Sequence, residues 1–186
     1  IFLRLACMRG HIEAMYQYSL RLIEDESNEN ALKEALSYFK KASNRGHIDS
    51  MFYYGAMLFK GSGVQMNIEK GAKYIEISAK SGCKIAYVHY GMMLDFGMGV
   101  PVDKPEAARY YKMAIEQLEN VDAMTNYAEM LLTGSGVPIN KEEGIKYLKM
   151  AIEKGNSNAM NNYGIMLFKG KGTLVNKEEA ARYFKK

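Results

Sequence analysis

The chain has 186 residues, 48% of them hydrophobic and 25% charged, with a formal net charge of +4. This is the balance of a folded chain and excludes an intrinsically disordered segment. Lysines are interleaved with glutamates, as in "NKEEGIKYLK", so no like-charged block marks a nucleic-acid footprint. Cys7 and Cys83 stand alone. They offer neither a metal-ligand spacing nor a disulfide framework, so reduced thiols and a cytoplasmic location are expected. No apolar run reaches the roughly 20 residues of a membrane helix, and direct membrane insertion is not expected. The chain opens at Ile1 and stops inside "AARYFKK"; we expect an excerpt of a longer protein.

Along the chain one pattern returns. "YSLRLIEDES" begins at Tyr18, "YGAMLFKGSGV" at Tyr54, "YGMMLDFGMGV" at Tyr90, "YAEMLLTGSGV" at Tyr127 and "YGIMLFKGKGT" at Tyr163, at spacings of 36, 36, 37 and 36 residues. Self-similarity at such a period is the signature of a repeat array. The five repeats are bounded near 7–43, 44–79, 80–115, 116–152 and 153–186.

Each unit is predicted to hold two helices. Helix A begins near a small residue (Ala14, Ser50, Ala86, Ala123, Ala159). It stops at Gly61/Gly63, Gly97/Gly99, Gly134/Gly136 and Gly170/Gly172, since glycine accepts the positive φ of a helix C-terminus. Helix B follows Asn67, Asp103, Asn140 or Asn176, whose side-chain oxygens suit the N-cap. Glu106, Glu143 and Glu179 then stand where a capping box places them. Helix B ends near Gly46, Gly82 or Gly155.

Recurrence between the copies separates two arcs of helix A. Tyr54-type and Leu58-type residues, with methionines such as Met51 and Met57, recur on one arc and are predicted to pack. Columns that differ between copies cover the opposite arc. Helix B has a tyrosine column of its own: Tyr38, Tyr74, Tyr110, Tyr147 and Tyr183. A single unit cannot bury both stripes, whereas stacked neighbours can. The expectation is an all-α, right-handed α-solenoid of five helix–turn–helix repeats with helix A lining its concave surface.

These residues resemble the Sel-one-like repeat family, a relative of the tetratricopeptide repeats. "GSGVQMNIEKGAKYIEISA", "GMGVPVDKPEAARYYKMAI", "GSGVPINKEEGIKYLKMAI" and "GKGTLVNKEEAARYF" follow its pattern of Gly-x-Gly-Val, an acidic or amide cap, and a helix with paired aromatic positions. The first copy departs from it: Asp25 and Ser27 replace the two glycines. The resemblance implies a scaffold or adaptor that binds a protein or peptide partner. Two alternatives stay open: a regulatory repeat region of a multidomain signalling enzyme such as a protein kinase, and an RNA-binding helical repeat.

No serine, cysteine or carboxylate set sits beside a plausible base, so no catalytic residues, metal, cofactor or small-molecule substrate are expected. His11 and His47 share a column with Cys83, Asn120 and Asn156, which a turn or N-cap position explains. The candidate partner surface is the variable arc of helix A, namely Phe52, Tyr53, Val88, His89, Met92, Thr125, Asn126, Glu129, Asn161 and Asn162. Phe52 and Tyr53 would act as anchors, and Asn126 and Asn162 as clamps on a peptide backbone. The alternative is that some of the aromatics only pack between neighbouring helices A.

Overall fold

A computed structural model of the chain describes residues 2–171 and 173–184. Gly172, expected to close the last loop, lies outside them. Every regular element among the described residues is an α-helix, as the sequence predicted. The chain divides into two compact units, Ile1–Val102 and Asp103–Lys186.

The first unit holds α1 (Phe2–Met8), α2 (Ile12–Leu22), α3 (Glu29–Ser43), α4 (Ile48–Lys60), α5 (Ile68–Lys80) and α6 (Lys84–Phe96). Here α2, α4 and α6 are helices A, and α3 and α5 are helices B. Each helix packs on the next in sequence, and α4 also touches α6. The core joins Leu32, Ala35 and Phe39 of α3 to Tyr54, Met57 and Leu58 of α4. A smaller cluster gathers Cys7, Met15 and Ala42, with Tyr18 and Tyr38 at its edge. α1 was not anticipated from the sequence; its short run shows too few turns for a periodic signal.

The second unit holds α7 (Lys104–Leu118), α8 (Val121–Thr133), α9 (Lys141–Glu153), α10 (Ser157–Lys169) and α11 (Lys177–Tyr183). Successive helices again pack pairwise.

Within a repeat, the two tyrosine columns meet. Tyr54 and Tyr74 lie edge to face with centroids 4.8 Å apart, and Tyr127–Tyr147 and Tyr163–Tyr183 repeat the contact at 5.4 and 5.3 Å. Tyr18–Tyr38 keeps it in the first copy at 5.7 Å. Edge-to-face rings put the positive rim of one ring on the negative face of the other. In these four repeats the recurrent tyrosines therefore clamp helix A to helix B.

The loops close as their chemistry requires. Gly61, Gly97, Gly134 and Gly170 are left-handed C-caps with φ between 69° and 78°. The second glycine does something further. A Cβ on Gly63 would lie 2.8 Å from the Leu32 carbonyl carbon, and one on Gly136 2.5 Å from that of Lys104. Its loop thus packs directly on the preceding helix B. Asn67, Asp103, Asn140 and Asn176 each cap helix B by accepting a backbone N–H. The expected capping box takes an altered form: the glutamate carboxylates of Glu143 and Glu179 accept from the asparagine side chains, at 2.9 and 3.0 Å.

Candidate functional site

In the first unit, helices A leave a groove of about 1170 Å³. Its floor comes from α4 and α6, through Phe52, Tyr53, Ala56 and Met57 on one helix and His89, Met92 and Met93 on the other. Its walls are Ile23, Glu26, Ser27 and Glu29 with Leu32 and Lys33, and the loop Gly61–Gln65. Apolar side chains dominate, and Met98 extends the methionine series.

An aromatic stack sets the shape of one side. Tyr53 lies flat on Phe39, with centroids 5.2 Å apart and planes 9° apart. Tyr16 approaches both rings. Phe52 meets Tyr53 edge-on at 5.2 Å and the His89 ring at 5.0 Å. Burial pushes the Tyr16 phenol up to about 12, helped by the neighbouring Tyr53 and Asp49. Burial also raises Tyr53, with Cys83 and Asp49 adding to it. Both phenols stay neutral at physiological pH and present hydroxyl groups, not charges.

The second unit carries a smaller hollow of about 210 Å³, lined by Asp122, Thr125, Asn126, Glu129, Asn158 and Asn162. It is polar throughout. The N-cap of α10 braces it: Asn156 Oδ1 accepts from the Ala159 N–H at 2.8 Å, while Asn156 Nδ2 donates to Asp122 at 3.1 Å.

The ten expected surface residues divide between these places and the packed interior. Tyr53, His89 and Met92 line the first groove with Phe52; Thr125, Asn126, Glu129 and Asn162 line the second. Asn161 is exposed but outside both linings, and Val88 is buried outside them. One expectation needs correcting. Phe52, Val88 and Thr125, read as part of a free arc, are only 4–7% exposed. Phe52 and Thr125 each reach a residue of the next repeat. Phe52 meets His89 there, and Thr125 donates to the Val121 carbonyl at 3.1 Å and to Asn156 at 3.4 Å.

Sequence reasoning missed the wall residues Ile23, Glu26, Ser27 and Glu29, the Lys60–Gln65 wall and Asp122 with Asn158. The replacement of two recurrent glycines by Asp25 and Ser27 was the available signal for the first. Of the five shared N-cap positions, His47, Asn120 and Asn156 accept a backbone N–H through the side chain. His11 and Cys83 occupy the position without that bond. Among the described residues, no three His, Cys, Asp or Glu side chains are grouped to hold a metal, and no helix is long and apolar enough to cross a membrane.

Several solved structures are similar to the chain. A protective antigen of uropathogenic Escherichia coli displaying an SLR fold superposes with a TM-score of 0.84 at 23% identity, over 98% of this chain and 39% of that one. This chain therefore spans about two fifths of that relative's length. A Sel1 repeat protein from Oxalobacter formigenes gives a TM-score of 0.77 at 23% identity, over 98% of this chain and 73% of that one. A Sel1 repeat protein from Klebsiella pneumoniae gives 0.64 at 17% identity, over 98% and 88%. At these identities the likeness establishes the fold, the all-α repeat array expected from the sequence. Among curated proteins none matches the chain. The Sel1 repeat matches residues 12–47, 48–83, 84–117, 121–156 and 157–186. Proteins built of this repeat are generally protein-interaction scaffolds and typically non-catalytic. With five consecutive repeats matched over nearly its whole length, the chain belongs to the Sel1 repeat family.

Proposed function

We propose that this chain is a scaffold that binds a partner protein through the groove of its first unit, with the polar hollow of the second unit as a separate contact. The observation that carries this reading is the groove itself. It is about 1170 Å³, lined mainly by apolar side chains, and left open by the protein's own residues. Exposed concave apolar surface of this size is where an apolar segment gains most by leaving water. Tyr53 and Met92 supply rigid and adaptable contact area respectively, and Phe52 backs them from below. In the second unit, Asn126 and Asn162 each carry an amide that both donates and accepts, the complement of a peptide main chain.

Site-specific photo-crosslinking tests the reading. A photoreactive phenylalanine analogue replaces Ala56 on the groove floor or, as a control, Lys73 on the exposed face of α5. Partner adducts are expected at Ala56 and not at Lys73. Equal adducts at both positions, or none at Ala56, would overturn the assignment.

A further inference from the structure

The columns of helix A that help to make the first groove apolar change character in the second unit. Ile85, His89 and Met92 of α6 line the first groove. Asp122, Asn126 and Glu129 stand in the same three columns on α8, and Asn158 and Asn162 fill two of them on α10. These five side chains, with Thr125, line the polar hollow. Spacings of three and four residues keep each set on one face of its helix. The hollow is therefore the same surface of the repeat, built from different chemistry.

The protein leaves most of these groups unused. Among the described residues, the side chains of Asn126, Glu129, Asn158 and Asn162 make no hydrogen bond or ion pair. Asn126 and Asn162 are half-buried, where an amide without a partner is costly. Asp122 commits one oxygen: its Oδ1 accepts from Asn156 Nδ2 at 3.1 Å, which fixes the carboxylate and leaves the second oxygen to face a ligand. Both charges on the lining, Asp122 and Glu129, are negative, and no cationic side chain lines the hollow. Neither is ion-paired among the described residues. The first groove differs, since Glu26 and Glu29 are balanced there by Lys33 and Lys60.

We infer that the hollow receives the guanidinium of an arginine in the partner protein. Two carboxylates without a counter-ion call for a cation. The amide oxygens offered by both helices call for one with several donors in a fixed plane. Asp122 and Glu129 stand two turns apart, about 10 Å along the axis, a gap that a broad guanidinium spans better than a compact ammonium. Arginine also sheds its hydration more readily than lysine does. Asn126 and Asn162 keep their NH2 groups for carbonyls of the segment that carries the arginine. This rests on the reading of the hollow as a partner contact, and it names the side chain that enters.

Nuclear magnetic resonance on the isotope-labelled full chain tests it with the pentapeptide Gly-Gly-Arg-Gly-Gly, blocked at both ends, and its Lys and citrulline counterparts. Citrulline keeps the shape of arginine and loses its charge. The Arg peptide shifts the side-chain amide signals of Asn126 and Asn162 saturably. It binds at least about fivefold more tightly than the Lys peptide, whose ammonium offers fewer donors, and more tightly than the citrulline peptide. About 0.5 M salt weakens it, because exposed charges are screened. The variant Asp122→Asn/Glu129→Gln keeps the acceptor oxygen for Asn156 and lowers Arg-peptide affinity at least about tenfold. Its backbone signals outside α8 and α10 stay in place, which verifies the fold. An Arg peptide no tighter than the Lys or citrulline peptide, or indifferent to the double substitution, overturns the arginine assignment while leaving the hollow as a peptide contact. No shift at Asn126 or Asn162 with any peptide, or shifts spread over exposed carboxylates of other helices, overturns both.

Discussion

The backbone N–H of Asn67 donates to the carbonyl of Leu58 at 2.8 Å, tying the start of helix B to the last turn of helix A. The same bond joins Asn140 to Leu131 at 2.8 Å and Asn176 to Leu167 at 2.9 Å. Each leucine thus serves twice, with its side chain in the core and its carbonyl as an anchor. The last carbonyls of a helix lack partners within it, and here the returning loop supplies one. The asparagine side chain meanwhile accepts the Lys70 N–H at 2.9 Å. Asn67→Ala removes only the side-chain cap. The expected loss is about 1 kcal/mol, the usual worth of an asparagine N-cap, read as a lower urea midpoint with unchanged slope. Asn67→Asp restores the midpoint. A midpoint unmoved by the alanine would mean that the backbone tie alone holds the loop.

Glu119 is the exception to the glycines that end helix B. Its φ is 48°, the single positive value outside glycine among the described residues. The cause lies in the period. Tyr90 and Tyr127 are 37 residues apart, and α7 takes up the extra residue by running to 15 residues where α5 and α9 have 13. That leaves a one-residue turn before the N-cap Asn120. A side chain in the left-handed region costs roughly 1 kcal/mol. Lys154 pairs with the Glu119 carboxylate at 2.8 Å, but in the open, where such pairs contribute little. Glu119→Gly is therefore expected to raise the melting temperature by a few degrees, and Glu119→Ala to leave it near that of the parent. A glycine variant that melts lower would show that the exposed ion pair outweighs the backbone strain.

Much of this was legible in the sequence, for identifiable reasons. The glycine stops and asparagine caps are local devices, set by φ and by a side-chain oxygen two or three residues from its donor, so position alone reveals them. The Tyr54-type and Leu58-type columns were legible as core because recurrence marks a shared environment. What recurrence could not reveal was direction. Phe52, Val88 and Thr125 vary between copies, and variation was read as exposure. Phe52 meets His89 across the α4–α6 contact and Thr125 meets the α10 N-cap Asn156, and such contacts depend on pairings distant in sequence. The wall residues Glu26, Ser27 and Glu29 escaped for a related reason: a departure from the pattern reads as decay until the groove beside it is seen.

Leu131 tests how far a core defect spreads. It is 4% exposed in α8, which packs on α7 and α9. Leu131→Ala is expected to cost about 2–5 kcal/mol through lost transfer energy and a residual cavity. In a repeat array, stability is carried by each unit and its immediate neighbours. Amide exchange should therefore rise in α8 and α9 and remain unchanged in α2 and α3. A uniform rise along the chain would contradict nearest-neighbour stability.

The two cysteines report the same property without a destabilising mutation. Cys7 and Cys83 are 2% and 3% exposed. Burial raises both thiols above their ordinary value; at Cys83 the Ser78 hydrogen bond partly opposes this, and the Asp49 carboxylate adds to it. The thiolate is the reactive form, so at pH 8 both should react with a maleimide far more slowly than in urea. A raised thiol pKa means that the native rate keeps climbing with pH through the range where a free thiol has already levelled off. The two should also differ from each other. Cys7 sits on α1, a helix of 7 residues that packs on α2. Cys83 is held between α5 and α6, with its thiol donating to Asp49 of α4 at 3.1 Å. Opening α1 breaks fewer contacts than opening α5 and α6, so mass spectrometry of the labelled chain should find Cys7 modified first. Equal rates at the two sites would mean that the first unit opens as one cooperative block.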